Sequence, residues 1–180
     1  MTIIANDVLR LSRALDYAAQ KHSAQRRKGV AQEPYINHLS EVALLLAEAT
    51  DGCDTNLIIA GLLHDCIEDQ RVTHDELVAQ FGDDIAALVR ECTDDKSLPK
   101  AERKRLQVLS APHKSARARM LKIADKTANL RSVRLSPPSH WDEKRRHDYF
   151  AWAREVVEAC GEVSPYLLEK FEEAHKAGAG

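Results

Sequence analysis

The residues best able to do chemistry in this 180-residue chain stand at six consecutive positions, His64-Asp65-Cys66-Ile67-Glu68-Asp69. On one continuous helix, residues three and four apart share a face, which puts His64 beside Glu68 and Asp65 beside both Glu68 and Asp69. Three carboxylates at the C-terminal end of a helix repel one another and face the negative pole of its dipole. In water each effect costs only a few tenths of a kcal/mol, roughly, and the cost climbs steeply with burial. A bound cation turns the same cluster into a site. A solvated acidic helix end is the competing reading. The preceding run, LIIAGLL, is apolar around its circumference, which predicts a buried helix and favours the metal.

Two more residues fit a metal site. His38 ends the stretch PYINH, where a surface or capping histidine is the plain alternative. Asp125 lies in LKIADKTANL, on the side of Leu121 and Ala128, in the middle of a predicted helix that aspartate does little to favour. A salt bridge to Lys122 or Arg131 is its plain alternative. Two histidines and two aspartates from three segments would make a mixed nitrogen and oxygen donor set. Such a set suits Mn²⁺, Fe²⁺ or Zn²⁺ and leaves coordination positions for water and substrate.

Helices joined by punctuated turns must position these groups. Apolar periodicity predicts helices over 6–27, 39–49, 55–69, 73–81, 83–92, 100–110, 115–134, 140–160 and 164–175. Asn6 is the expected cap of the first. Thr73, with Glu76 three residues on, has the capping-box pattern. Pro99 stands near a helix start and Pro112, Pro137 and Pro138 near helix ends. The final AGAG, with 175–180 generally, is expected to fray. No alternating segment reads as a strand, and no repeat or linker divides the chain. The expectation is one all-α domain over 1–180.

Composition narrows the function. Apolar residues make up 44% and charged residues 30%, a globular composition. A formal net charge of −2 argues against a nucleic-acid polymer as partner and requires any anionic ligand to be held by a local basic patch. Cys53, Cys66, Cys92 and Cys160 show no C-x-x-C spacing and suggest reduced thiols. The N-terminus does not read as a signal peptide, and no apolar run approaches the ~20 residues that span a bilayer. A cytoplasmic protein without membrane attachment is expected.

The order H…HD…D sits within RRKGVAQEPYINH, LLHDCIEDQRVTHDEL, TDDKSLPKAERKRLQ and IADKTANLR, followed by a W…R…YF…W arrangement from Trp141 to Trp152. In these stretches the chain resembles the HD phosphohydrolase superfamily, specifically its alarmone-hydrolase branch. That branch comprises the hydrolase part of RelA/SpoT proteins and the stand-alone small alarmone hydrolases. The resemblance runs along nearly the whole chain and implies a single-domain HD-type helical bundle. It implies one Mn²⁺ held by His38, His64, Asp65 and Asp125, with Glu68 and Asp69 as the catalytic pair. It implies a guanosine nucleotide substrate met by Arg27, Lys28, Lys100, Asn129, Arg145 and Tyr149, and loss of the 3′-diphosphate as pyrophosphate. Leu39 and Thr127-Ala128 depart from the family's usual Pro and Leu-Tyr. The alternatives are a metal-dependent phosphatase of another nucleotide, such as NADPH, and a non-catalytic alarmone-binding protein.

Overall fold

The computed structural model describes residues 5–178, and among them there are ten α-helices and no β-strand. The helices gather into two compact units. The first holds the chain up to Gln25 together with Pro34–Thr93; the second holds Arg26–Glu33 together with the chain from Asp94 onward.

In the first unit, α1 (Ala5–Lys21), α2 (Ile36–Ala49) and α6 (Asp83–Cys92) pack against α3 (Thr55–Leu63). Seven consecutive residues of α3, from Leu57 to Leu63, are buried, as its apolar circumference predicts. Asp54 caps it, accepting a hydrogen bond from Leu57 N at 3.0 Å. The short α4 (Cys66–Gln70) and α5 (His74–Phe81) follow. Thr73 caps α5 by accepting from Glu76 N at 3.1 Å. The Glu76 carboxylate then accepts from Tyr17 Oη and Lys21 Nζ, each at 2.9 Å, and so ties α5 to α1.

Two boundaries differ from the sequence expectation. The first helix ends at Lys21 rather than near residue 27, and Asn6 lies inside it rather than at its cap. The chain turns there because Gln25 is recruited elsewhere: its carbonyl accepts the Tyr35 N–H at 3.1 Å, and its side chain enters a polar network described below. The helix expected over 55–69 is interrupted at His64–Asp65, where Asp65 takes φ −97° and ψ 0°. Glu68 and Asp69 therefore occupy the first turn of a new helix rather than the last turn of a long one. Their placement against the dipole is reversed, and the penalty expected from the sequence is removed.

In the second unit, α8 (Ala116–Leu135) packs against α9 (Glu143–Cys160) and α10 (Pro165–Gly178), and α7 (Lys100–Ser110) packs against α9. Ser115 and Asp142 cap α8 and α9, accepting from Ala118 N and Arg145 N. The loop Arg26–Glu33 lies on the end of α8: Ala31 N donates to Ser136 Oγ at 2.9 Å and Val30 N to Pro137 O at 3.3 Å. Gly29 permits this, since a Cβ there would meet Ser136 O at 2.0 Å. The last helix runs on to Gly178, with the His175 ring against Phe150 and Phe171, so 175–178 are helical rather than frayed; 179–180 lie outside the described residues. No helix among the described residues is long and apolar enough to cross a membrane.

Gly61 sits where α3 meets α2. A Cβ there would stand 2.8 Å from Leu46 Cδ1 and 3.3 Å from the Ala43 Cα. That close approach explains a glycine in mid-helix despite a propensity cost of about 1 kcal/mol relative to alanine. Gly61→Val is expected to overpack the contact and destabilise the fold by about 1–3 kcal/mol. Denaturant unfolding measures it, and an unchanged midpoint would show that α2 has room to retreat.

Candidate active site

Three candidate ligands come together in the first unit. His38 on α2, His64 at the end of α3 and Asp65 at the break offer ligand atoms that all lie within 4.8 Å of one another. Both histidines are buried and Asp65 is half-buried. The His64 ring reaches Asp65 Oδ2 through Nε2 at 3.1 Å, and the His38 ring does so through Nε2 at 3.8 Å. The two imidazoles meet edge to face, with centroids 5.3 Å apart.

The local backbone sets the tautomer of His64. Its Nδ1 lies 2.9 Å from the Gly61 carbonyl oxygen, which can only accept. Nδ1 therefore carries a proton, which leaves Nε2, the ring atom nearer Asp65, as the one available to bind a metal. Two buried imidazoles and a half-buried carboxylate at this spacing match the donors expected for a first-row divalent ion.

A polar network stands beside them. Tyr35 Oη donates to Asp65 Oδ2 at 2.6 Å. Gln25 Nε2 donates to Asp69 Oδ2 at 2.7 Å. Gln25 Oε1 accepts from His22 Nδ1 at 2.6 Å and from Gln70 Nε2. His22 is buried and stacks on Tyr35 with centroids 5.2 Å apart and planes 12° from parallel. Burial pushes the His22 pKa down, and its Nε2 lies 3.6 Å from the Cys66 thiol. Burial likewise pushes that thiol up to about 12. Cys66 is therefore a protonated, buried group, as a structural rather than a redox role requires.

The second unit holds Asp125 and the cations. Asp125 is buried on α8, and both of its oxygens are engaged: Asn129 Nδ2 donates to Oδ1 at 2.6 Å and Lys126 Nζ lies 3.0 Å from Oδ2. Arg27 Nη2 donates to Asn129 Oδ1 at 2.7 Å, extending the chain to the Arg26–Glu33 loop. Thr127 and Ala128, where the chain departs from the family pattern, are fully buried. Thr127 Oγ1 donates to the Ile123 carbonyl at 2.8 Å.

Like charges gather nearby. Partial burial lowers the Lys100 pKa, and Arg145, Lys28 and Arg103 lower it further. Burial also lowers Lys104, with Lys100 and Lys126 adding to the effect. Aromatic faces soften the repulsion: Arg145 lies 5.0 Å from the Trp141 centroid, and Lys104 and Lys126 lie 4.3 and 4.6 Å from that of Trp152. Tyr149 stands between the two indoles, and burial raises its pKa, which keeps the phenol a hydrogen-bond donor.

Of the residues the sequence singles out, the structure brings His38, His64 and Asp65 into one cluster and joins Arg27, Asn129 and Asp125 into another. Lys28, Lys100 and Arg145 influence one another electrostatically. Glu68 is half-buried on α4. The sequence reading gives no role to Tyr35, Gln25, His22 or Lys126. Tyr35 lies inside the PYINH stretch, three residues before His38, and that spacing was the available signal.

A family model described as an HD domain matches residues 14–153, which pass through both units. The chain is similar to the guanosine-3′,5′-bis(diphosphate) 3′-pyrophosphohydrolase MESH1 of Xenopus tropicalis, with 45% identity over 94% of each chain. Its identity to the MESH1 of Homo sapiens is 43%, over 96% of this chain and 97% of that one. A solved structure described as a metazoan ortholog of SpoT that hydrolyses ppGpp and plays a role in starvation responses superposes with a TM-score of 0.90. It is 39% identical, and the match covers 98% of this chain and 97% of that chain. The chain belongs to the HD-domain family, in the branch that holds the MESH1 proteins.

Lys100 yields a prediction of sign. A lysine whose pKa the fold lowers opposes folding while it is charged, because the unfolded chain binds the proton more tightly. Its cost is present below the lowered pKa and is relieved as pH rises through that value toward the ordinary lysine range. Lys100→Gln is therefore expected to melt above the parent at neutral pH, while pyrophosphate raises its melting temperature less than the parent's. Thermal melts with and without pyrophosphate check both, and a lower melting point would contradict the repulsion.

Proposed function

We propose that this protein is a metal-dependent 3′-pyrophosphohydrolase that converts guanosine 3′,5′-bis(diphosphate) to GDP and pyrophosphate, and the pentaphosphate to GTP and pyrophosphate. The observation that carries this reading is that relatives named for the activity align over nearly the full length of both chains. The clustered His38, His64 and Asp65 supply a chemical reason for it.

In this reading His38, His64, Asp65 and Asp125 hold one divalent ion, taken to be Mn²⁺ from the mixed donor set and the family resemblance. When bound, the ion polarises a phosphoryl oxygen and lowers the pKa of water. Glu68 accepts the proton of the attacking water, and Asp69 orients the acidic pair. Water adds to the phosphorus that bears the 3′ oxygen, the P–O3′ bond breaks with its electron pair on the 3′ oxygen, and that oxygen takes a proton from solvent to leave as a hydroxyl. Negative charge gathers on the phosphoryl oxygens in that step, which is where fixed cations lower the barrier. Arg27, Lys28, Lys100 and Arg145 bind the phosphates, and Asn129 and Tyr149 help to orient the nucleotide. Arg27 and Arg145 add bidentate and stacking contacts that lysine does not provide. The compartment is read as cytoplasmic, which four free cysteines suit.

Incubation of the purified protein with ppGpp and Mn²⁺ is expected to release GDP and pyrophosphate, and a chelator to stop it. Orthophosphate without pyrophosphate would point to a phosphatase of another nucleotide. His64→Ala should lose metal and turnover together. Glu68→Ala should keep the metal and lose turnover by ~10²-fold or more, as for removal of a general base. Full turnover in Glu68→Ala would remove Glu68 from its role.

A further inference from the structure

We infer that Tyr35 and Gln25 are positioning residues, two arms of one brace: the Tyr35 hydroxyl aims the Asp65 carboxylate for metal binding, and the Gln25 amide aims Asp69 for turnover. The inference rests on the metal and acid assignments above and deepens them.

The network orients the Gln25 amide. Gln25 Oε1 accepts from His22 Nδ1 and Gln70 Nε2, so its amide nitrogen is the end left to donate to Asp69, at 2.7 Å. Tyr35 is a hydroxyl donor facing a carboxylate oxygen at 2.6 Å, at the short end of the O–H···O range. His22 joins the arms by stacking on the Tyr35 ring while bonding to Gln25. The backbone adds a third tie, Tyr35 N–H to the Gln25 carbonyl at 3.1 Å. Asp65 and Asp69 are also linked directly, since Asp69 N donates to the Asp65 carbonyl at 2.8 Å. Asp65 sits at a helix break and does not cap the helix that follows, and the Tyr35 hydroxyl reaches its carboxylate from outside that helix. Groups that orient a metal-binding carboxylate in this way are commonly worth about 10–100-fold in metal affinity or activity.

The two arms predict opposite signatures. Tyr35→Phe removes one oxygen and keeps the ring on His22; it should weaken Mn²⁺ binding about tenfold or more while kcat at saturating Mn²⁺ falls little. Gln25→Met keeps the length of the side chain and removes the donor; it should bind Mn²⁺ as the parent does, keep KM and lose about tenfold or more in kcat. Direct titration of the chelator-stripped proteins with Mn²⁺ reads the first arm without any substrate, and steady-state kinetics on ppGpp read the second. Chelator-treated melting temperatures show whether each variant is folded. If the parent binds no Mn²⁺, the metal reading and this inference fall together. If the parent binds and Tyr35→Phe binds equally tightly, or if both variants lose affinity and turnover in the same proportion, the brace is only structural. An unfolded Tyr35→Phe would also overturn the inference, because it would make the hydroxyl a determinant of folding rather than of metal affinity.

Discussion

Two imidazoles and a carboxylate are held against one of the most apolar helices in the chain, and the first unit is built around that constraint. Burial of this donor set is costly unless each polar atom is directed. The fold directs them with short-range devices: the Gly61 carbonyl fixes the His64 tautomer, and the close approach at Gly61 lets α2 present His38 beside it. The helix break at His64–Asp65 then turns the carboxylate toward both rings and toward Tyr35. A continuous helix would have kept Asp65 on a regular helical position, with its backbone committed to the ladder.

The second unit solves a related problem with opposite charge. Asp125 is buried with an amide on one oxygen and an ammonium on the other, so its charge is matched within its own helix. In the same unit burial and the cations Arg145, Lys28 and Arg103 lower the Lys100 pKa, burial with Lys100 and Lys126 lowers that of Lys104, and Lys104 and Arg145 lie over indole faces. A crowd of like charges of this kind is what the proposed binding of a polyphosphate would use.

Much of this was legible in the sequence because it is local. Thr73 and Glu76 announced a helix start that the structure contains, and the LIIAGLL run announced a buried helix. The motif order singled out the histidines and Asp65 that the structure clusters, and the HD-type all-helical fold agrees with the family match. What the sequence hid is long-range. Tyr35 and Asp65 are thirty positions apart, and Gln25 and Asp69 forty-four. Their hydrogen bonds override the helical periodicity that predicted unbroken helices over 6–27 and 55–69. The continuation of α10 from 175 to Gly178 was hidden for the same reason, since it adjoins the packing of the His175 ring against Phe150 and Phe171.

The crowding of Lys28, Lys100, Arg103 and Arg145 also bears on how a reaction cycle would close. Such a group has its lowest electrostatic energy with a multiply charged anion on it, and pyrophosphate carries more charge per atom than the guanosine nucleotide released with it. In the proposed reaction, residues that draw the substrate in would also slow the departure of the pyrophosphate product. Dissolved salt screens over about 8 Å at physiological strength. Ionic strength then acts as a brake on capture and as a lubricant for release, and the fastest cycling falls at an intermediate salt concentration rather than at the lowest.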